Sequence, residues 1–321
     1  MSGVVESALS QPEIPSGQGG PVAARSDGGS GRPERVLAGA GGATETPPAP
    51  QPDDRARKEP TSSPEAAYWN SVVETWQERR PQALWRRHSD ALNVALLQRW
   101  LPDGPLGRVL KTDVFDEAVS DGLYPALAAR AKSIVAIDLS RAAARAAQRK
   151  YPALHAVPAD VRRLPFADRC FDLILSNSTL DHFDQRGDIL VGLRELARTL
   201  RPGGHLLLTM DNPANPAIWL RGRLPGAWLR GLGVIPYNVG KTCGLHDLQA
   251  AACALGLNPL RSTAIMHCPR VLAVAVADWL QGRRPGEQSG FLRLLRAFER
   301  LEDLPTRYLT GHFVALLAAK R

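Results

Sequence analysis

The 321-residue chain has no run of about 18 apolar residues, which excludes a membrane-spanning helix. It has four cysteines, Cys170, Cys243, Cys253 and Cys268, and none of them forms a C-x-x-C pair. That spacing excludes a zinc ribbon or finger and fits a reducing cytoplasm better than a disulfide framework. His267 and Cys268 are adjacent, but two residues do not make a metal site, so no metal is expected. No basic start followed by an apolar stretch marks a secretory leader. No internal repeat occurs at a solenoid period.

Aromatic residues are absent before Tyr68, while residues 1–65 hold 10 of the 28 glycines and 10 of the 26 prolines. Such a segment cannot bury enough apolar surface to offset its ordering entropy, and it is expected to be a disordered tail. The tail carries 9 acidic and 6 basic residues, so residues 66–321 hold a net charge of +11 within a chain of +8. The arginines are dispersed over many helical stretches, without the basic stripe and exposed aromatics that nucleic acid requires.

Beyond the tail the pattern is helical, then alternating. Trp69, Val72, Val73 and Trp76 share one helix face, and Pro81 should end that helix. Ser89 or Asp90 would cap a second helix bearing Leu92, Leu96 and Trp100. Strands are expected at 108–112, 133–138, 154–157, 171–176, 205–210, 261–266 and 313–317. Helices are expected around 124–131, 141–150, 189–200 and 245–255, with Pro202-Gly203-Gly204 as a stop. This alternation predicts an α/β fold with a doubly wound parallel sheet. Ligands bind such sheets at the carboxyl ends of the strands, so functional residues should follow strands.

Three post-strand positions qualify. Asp138 suits the two hydroxyls of a ribose, or caps the next helix. Asp160, beside Val161, can accept from an adenine amino group, or serves a turn. The run Ser176-Asn177-Ser178-Thr179-Leu180-Asp181-His182 is unusually polar between a buried strand and a helix.

Together, Leu164-Pro165-Phe166, Phe171-Asp172-Leu173-Ile174, Leu180-Asp181-His182-Phe183 and Arg201-Pro202-Gly203-Gly204 resemble class I S-adenosylmethionine-dependent methyltransferases of the type 11 kind. The resemblance covers roughly residues 105–260 and the last strand. It implies a Rossmann-like sheet of seven strands, ordered 3-2-1-4-5-7-6 with the last antiparallel, and S-adenosylmethionine as cofactor. It also implies that Asp138 and Leu139 meet the ribose, Asp160 and Val161 the adenine, and Ser176 and Asn177 the methionine end. The family's Gly-x-Gly-x-Gly loop is missing. In its place stands Lys111-Thr112-Asp113-Val114-Phe115-Asp116-Glu117, a pattern that resembles a bacterial branch of the family preceded by Leu84–Asp90. There Asp113 or Glu117 would supply the carboxylate, Thr112 would line the loop, and Lys111 would pair with an acid or hold the cofactor's carboxylate.

His182 is the candidate base for removing an acceptor proton, oriented by Asp181, or else a structural histidine; His88 is a weaker candidate. Trp69, Trp76 and Trp85 could shield a sulfonium, or form core. The expected organisation is a tail (1–65), a helical cap (66–104) and a methyltransferase domain (105–321) with insertions at 211–241 and 268–311 that cover the acceptor. The first insertion mixes Trp219, Leu220, Leu224, Trp228 and Leu229 with arginines. It reads as a lid in preference to an interfacial helix, with peripheral membrane contact as a sub-case. The expected activity is methyl transfer to a small, bulky or lipophilic molecule, by a chain of undetermined oligomeric state. The rival is a non-catalytic protein of the same fold.

Overall fold

The computed structural model describes residues 63–321, apart from 80–81, 233–234 and 236. The expected tail lies outside the described residues except at its end. Ser63 Oγ accepts from Ala66 N, and Pro64 occupies the first turn, so helix α1 (Pro64–Arg79) starts within the expected tail. Helix α2 (Ala83–Trp100) begins six residues before the expected caps, leaving Ser89 and Asp90 inside it. The reason is a stripe at four-residue spacing, Leu84, His88, Leu92, Leu96 and Trp100, in which a buried histidine hides the apolar period.

Seven strands follow: β1 (Gly107–Lys111), β2 (Ala131–Asp138), β3 (His155–Pro158), β4 (Phe171–Asn177), β5 (Leu200–Asp211), β6 (Leu257–Ile265) and β7 (Phe313–Lys320). Their order is β3-β2-β1-β4-β5-β7-β6, with β7 antiparallel to both neighbours and the other pairings parallel. Arg201–Gly204 is not a stop between helix and strand. Phe171 pairs with Leu200 and Leu173 with His205, so these residues bulge out of a continuous β5, with Gly203 at φ 73°.

Alternation along the strands sorts the core into two faces. Leu110, Ile174, Leu206 and Leu208 pack with helix α6 (Arg186–Thr199) and helix α9 (Leu245–Ala254). Val109, Leu173, Leu175 and Leu207 pack with α2 and helix α5 (Arg141–Lys150). The short helices α3 (Phe115–Val119) and α4 (Tyr124–Ala128) connect β1 to β2, and α7 (Pro216–Arg221) and α8 (Gly226–Gly231) follow β5. Between β6 and β7 come α10 (Arg270–Leu280), α11 (Pro285–Phe298) and α12 (Arg307–Thr310). A third cluster, Leu84 and Trp85 with Ala273, Ala277, Leu280 and Leu295, joins α2 to α10 and α11 as a cap.

His88 is buried in this cap, and neither ring nitrogen has a hydrogen-bond partner among the described residues. Burial, reinforced by Arg296, pushes its imidazole down to about 4. An unfolded histidine takes its proton through about pH 6.5, whereas the folded one resists until about pH 4. The stability this represents is therefore full above pH 6.5 and is lost as the pH falls to 4, by about 3 kcal/mol. Denaturant titrations at pH 7 and pH 5 should show a smaller difference for His88→Leu than for the unchanged chain.

Candidate functional site

The carboxyl ends of β1 to β5 open into one cavity of about 610 Å³. Because β7 runs antiparallel, its first residue lies at this end too: Phe313 pairs with Asp211 at the end of β5 and with Ile265 at the end of β6. His312, Phe313 and the start of α10 therefore reach the same mouth.

The β1–β3 side of the cavity is acidic. Asp138 accepts from Val114 N (3.1 Å) and Ser140 N (2.7 Å), one to each carboxylate oxygen. Burial raises its carboxyl above the usual carboxylate range, partly offset by these two donors. Asp160 is gripped by Arg162, whose Nε lies 3.1 and 3.0 Å from its two oxygens and whose Nη2 lies 2.7 Å from one. Asp113 lines the cavity, and its buried Oδ2 has no hydrogen-bond partner among the described residues. Burial and the charges of Asp116, Glu117 and Asp138 push Asp113 up to about 7, against the pull of Lys111. A cationic amine there would satisfy an orphaned acceptor and relieve this repulsion. The donor set therefore fits the cofactor implied by the resemblance: carboxylates for hydroxyls and amines, and a buried acceptor that lacks a donor.

Four expected site residues lie behind the cavity wall. Lys111 is fully buried; its Nζ sits 2.9 Å from Glu117 Oε2, 3.3 Å from Asp113 Oδ1 and 2.7 Å from the Asp113 carbonyl. Burial pulls its pKa down, yet the carboxylates of Asp113, Glu117 and Asp116 outweigh that and hold the ammonium above its ordinary range. Glu117 Oε1 accepts from Leu123 N (2.9 Å) and Tyr124 N (3.1 Å). Gly122, at φ 61°, has no room for a β-carbon over this carboxylate. Lys111 and Glu117 thus brace the β1–α3 connection from behind and do not line the cavity. Ser176 is likewise buried, accepting from Thr112 Oγ1 at 3.0 Å. Asp181 does not orient His182: its carboxylate accepts from Ser178 Oγ and, at 2.8 Å, from Asp211 N, tying β4 to β5. Thr112, Asp113, Asp138, Leu139, Asp160, Val161, Asn177 and His182 do line the cavity.

His182 stands in an aromatic wall. Its ring meets Trp69 edge-on at 5.0 Å and Tyr237 at 5.7 Å, and its buried Nδ1 has no partner among the described residues. Tyr237 also meets Phe115 and Trp76. The loop carrying Tyr237 is pinned where Gly240 N donates to the Asp181 carbonyl and Lys241 N to that of Phe183. Gly240 is needed there, since a β-carbon would strike the Phe183 carbonyl. Trp69 and Trp85 line the cavity, while Trp76 is core, meeting Phe115 edge-on with the Arg86 guanidinium beside both rings. Arg86 in turn pairs with Asp116. His88 does not line the cavity; it sits behind Trp85, whose ring centroid lies 5.7 Å from its own.

The β5–β7 side is basic and was missed from sequence. Asp211 pairs with Arg221; burial raises the Asp211 carboxyl, but the cations around it, Arg221 and Arg270 among them, pull its pKa below the ordinary value. Burial, with Arg270 and Arg221 nearby, pushes His312 down to about 3 against the pull of Asp211. A neutral His312 accepts from Arg270 Nη1 at 2.8 Å through Nε2, so its 3.4 Å approach to Asp211 is not an ion pair. Arg270 lies beside the rings of Trp85 (6.0 Å) and Phe313 (5.7 Å) and makes no salt bridge to a carboxylate among the described residues. Asp211 had a readable signal, a carboxylate ending a strand. His312 precedes an antiparallel strand and Arg270 opens a helix, so the rule of looking after strands passes over both.

Residues 118–208 match the methyltransferase domain family. The fatty-acid O-methyltransferase of Mycolicibacterium smegmatis is 27% identical over 244 residues, 74% of this chain and 81% of that protein. Phthiotriol/phenolphthiotriol dimycocerosates methyltransferase 1 of Mycobacterium ulcerans is 36% identical over 119 residues, 36% of this chain and 42% of that one. Malonyl-[acyl-carrier protein] O-methyltransferase of Pseudescherichia vulneris is 40% identical over 76 residues, 24% of this chain and 29% of that one. The chain thus spans most of the first relative and less than half of the other two.

Two substitutions separate the roles on the β1–β3 side. Asp138→Ala should weaken S-adenosylmethionine binding by about 10–100-fold in calorimetric titration, the loss of a charge-assisted hydrogen bond. Glu117→Ala should instead lower folding stability by about 3–5 kcal/mol in urea, because it removes the nearest carboxylate from a buried ammonium and the acceptor of two backbone amides. Glu117→Gln should cost less, since its amide oxygen can still accept from Leu123 and Tyr124.

Proposed function

We propose that this chain is a class I S-adenosylmethionine-dependent methyltransferase that methylates the carboxylate of a lipophilic acceptor. The observation that carries this reading is Arg270: a cation in the acceptor half of the cavity, held by a neutral histidine and flanked by two rings, with no salt bridge to a carboxylate among the described residues. The surrounding wall of Trp85, Ile218, Ile235, Val271 and Val274 is apolar. A carboxylate entering there gains a charge-assisted pair in a poorly hydrated setting, while an acyl chain covers the wall. Two of the relatives are named as O-methyltransferases, one of a fatty acid and one of malonyl-[acyl-carrier protein], which supports O-methylation of an acyl compound.

When bound, S-adenosylmethionine supplies an electrophilic methyl group on a sulfonium. In this reading Asp138 accepts from the ribose hydroxyls, Asp160 and Val161 border the adenine, and Asp113 Oδ2 accepts from the amine. Trp69, Phe115 and Tyr237 exclude water and offer ring faces to positive charge. Arg270 aligns the acceptor, and alignment is the principal contribution an enzyme makes to an in-line displacement. A carboxylate is already ionised at neutral pH, so no proton has to be removed. His182 then acts as a wall residue whose free Nδ1 can hydrogen-bond a ligand, and general-base catalysis is not required of it.

The test is turnover with medium- and long-chain fatty acids against the matching alcohols. Methyl esters should form and methyl ethers should not; the reverse would sink the reading. Arg270→Met should raise KM for the acid about tenfold or more while leaving cofactor affinity unchanged.

A further inference from the structure

The segment after β5 is apolar on two sides. Ile218 and Leu229 are buried, whereas Trp219, Leu220, Leu224, Trp228 and Leu232 are exposed, Trp228 by 70% and Leu232 by 76%. Helix α10 repeats the arrangement: Ala273, Ala277 and Leu280 are buried, and Val271, Leu272 and Trp279 are exposed. A lid that only covered a cavity would turn a polar face to water, because helices apolar all round need a second apolar neighbour. The two exposed faces also border one opening, since Leu232 and Val271 both line the cavity.

Charge says what that neighbour is. Residues 212–246 contain no acidic side chain but hold Arg221, Arg223, Arg230 and Lys241. Arg223 stacks on Trp219 at 3.6 Å, and Arg283 on Trp279 at 4.3 Å. Exposed tryptophans paired with arginines suit the boundary between acyl chains and anionic headgroups. We infer that the exposed faces of α7, α8 and α10 dock on an anionic bilayer, with the cavity mouth opening toward the acyl region. The inference deepens the lipophilic-acceptor reading by naming the acceptor's source. Its test contains no acceptor and reads binding alone, so either can fail separately.

The test uses the full chain and co-sedimentation with phosphatidylcholine vesicles, with and without phosphatidylglycerol. Binding should require the anionic lipid and weaken with added salt. Arg223→Ala/Arg230→Ala should reduce it roughly 30-fold, at about fivefold per charge. Trp219→Ser/Trp228→Ser should reduce it about tenfold or more with an unchanged melting temperature. Equal binding to both vesicle types, no binding to either, or variants that bind as well as the unchanged chain would overturn the inference. A dimer that dissociates in the tryptophan variant, without vesicle binding, would also overturn it and give the face to a second copy.

Discussion

A buried ammonium at the end of the central strand underlies the geometry of the site. Lys111 closes β1 and is almost completely buried, and a lone charge there would be untenable. Glu117 answers it from the following helix, and the same carboxylate takes the amide hydrogens of Leu123 and Tyr124. One side chain thereby joins the end of β1, the turn of α3 and the start of α4. A glycine-rich loop brings backbone close to a ligand because it lacks side chains. Here the connection is shaped from behind by an ion pair, which leaves Asp113 on the cavity lining with an oxygen that has no partner among the described residues.

Strand order distributes charge across the cavity. Carboxylates stand at the ends of β1, β2 and beyond β3, on one side of the sheet's centre. Arg221 and Arg270 follow β5 and β6 on the other. Such a field favours a ligand whose positive groups lie over the first strands and whose negative group lies over the last. His312 adds no charge, because burial and two neighbouring arginines keep it neutral; it serves Arg270 as an acceptor.

The cap adds a relation between inside and outside. The elements whose inner residues line the acceptor half carry large apolar side chains on their outer faces as well. A route from an apolar surface into an apolar cavity spares a lipophilic molecule the cost of full exposure to water.

Strand and helix order could be read from the residues, because parallel strands covered on both faces leave continuous apolar runs and the intervening helices keep their period. Asp138, Asp160 and Asn177 could be found because each follows a strand in a sheet whose ligands bind at strand ends. The start of α2 escaped because His88 sits in its buried stripe, where polarity masks the period. From sequence, Lys111 can pair with an acid or hold the cofactor's carboxylate, and Glu117 can supply the missing carboxylate to the ligand; the structure shows the first alternative for Lys111. Only packing shows which way they turn, and burial with a paired charge turns them inward. Arg270 and His312 were beyond reach for a different reason. They come to the mouth through the pairing of an antiparallel strand with β5 and β6, about 60 to 100 residues apart along the chain from Asp211. A local pattern cannot encode that register. It arises when the apolar faces of β5, β6 and β7 are buried together.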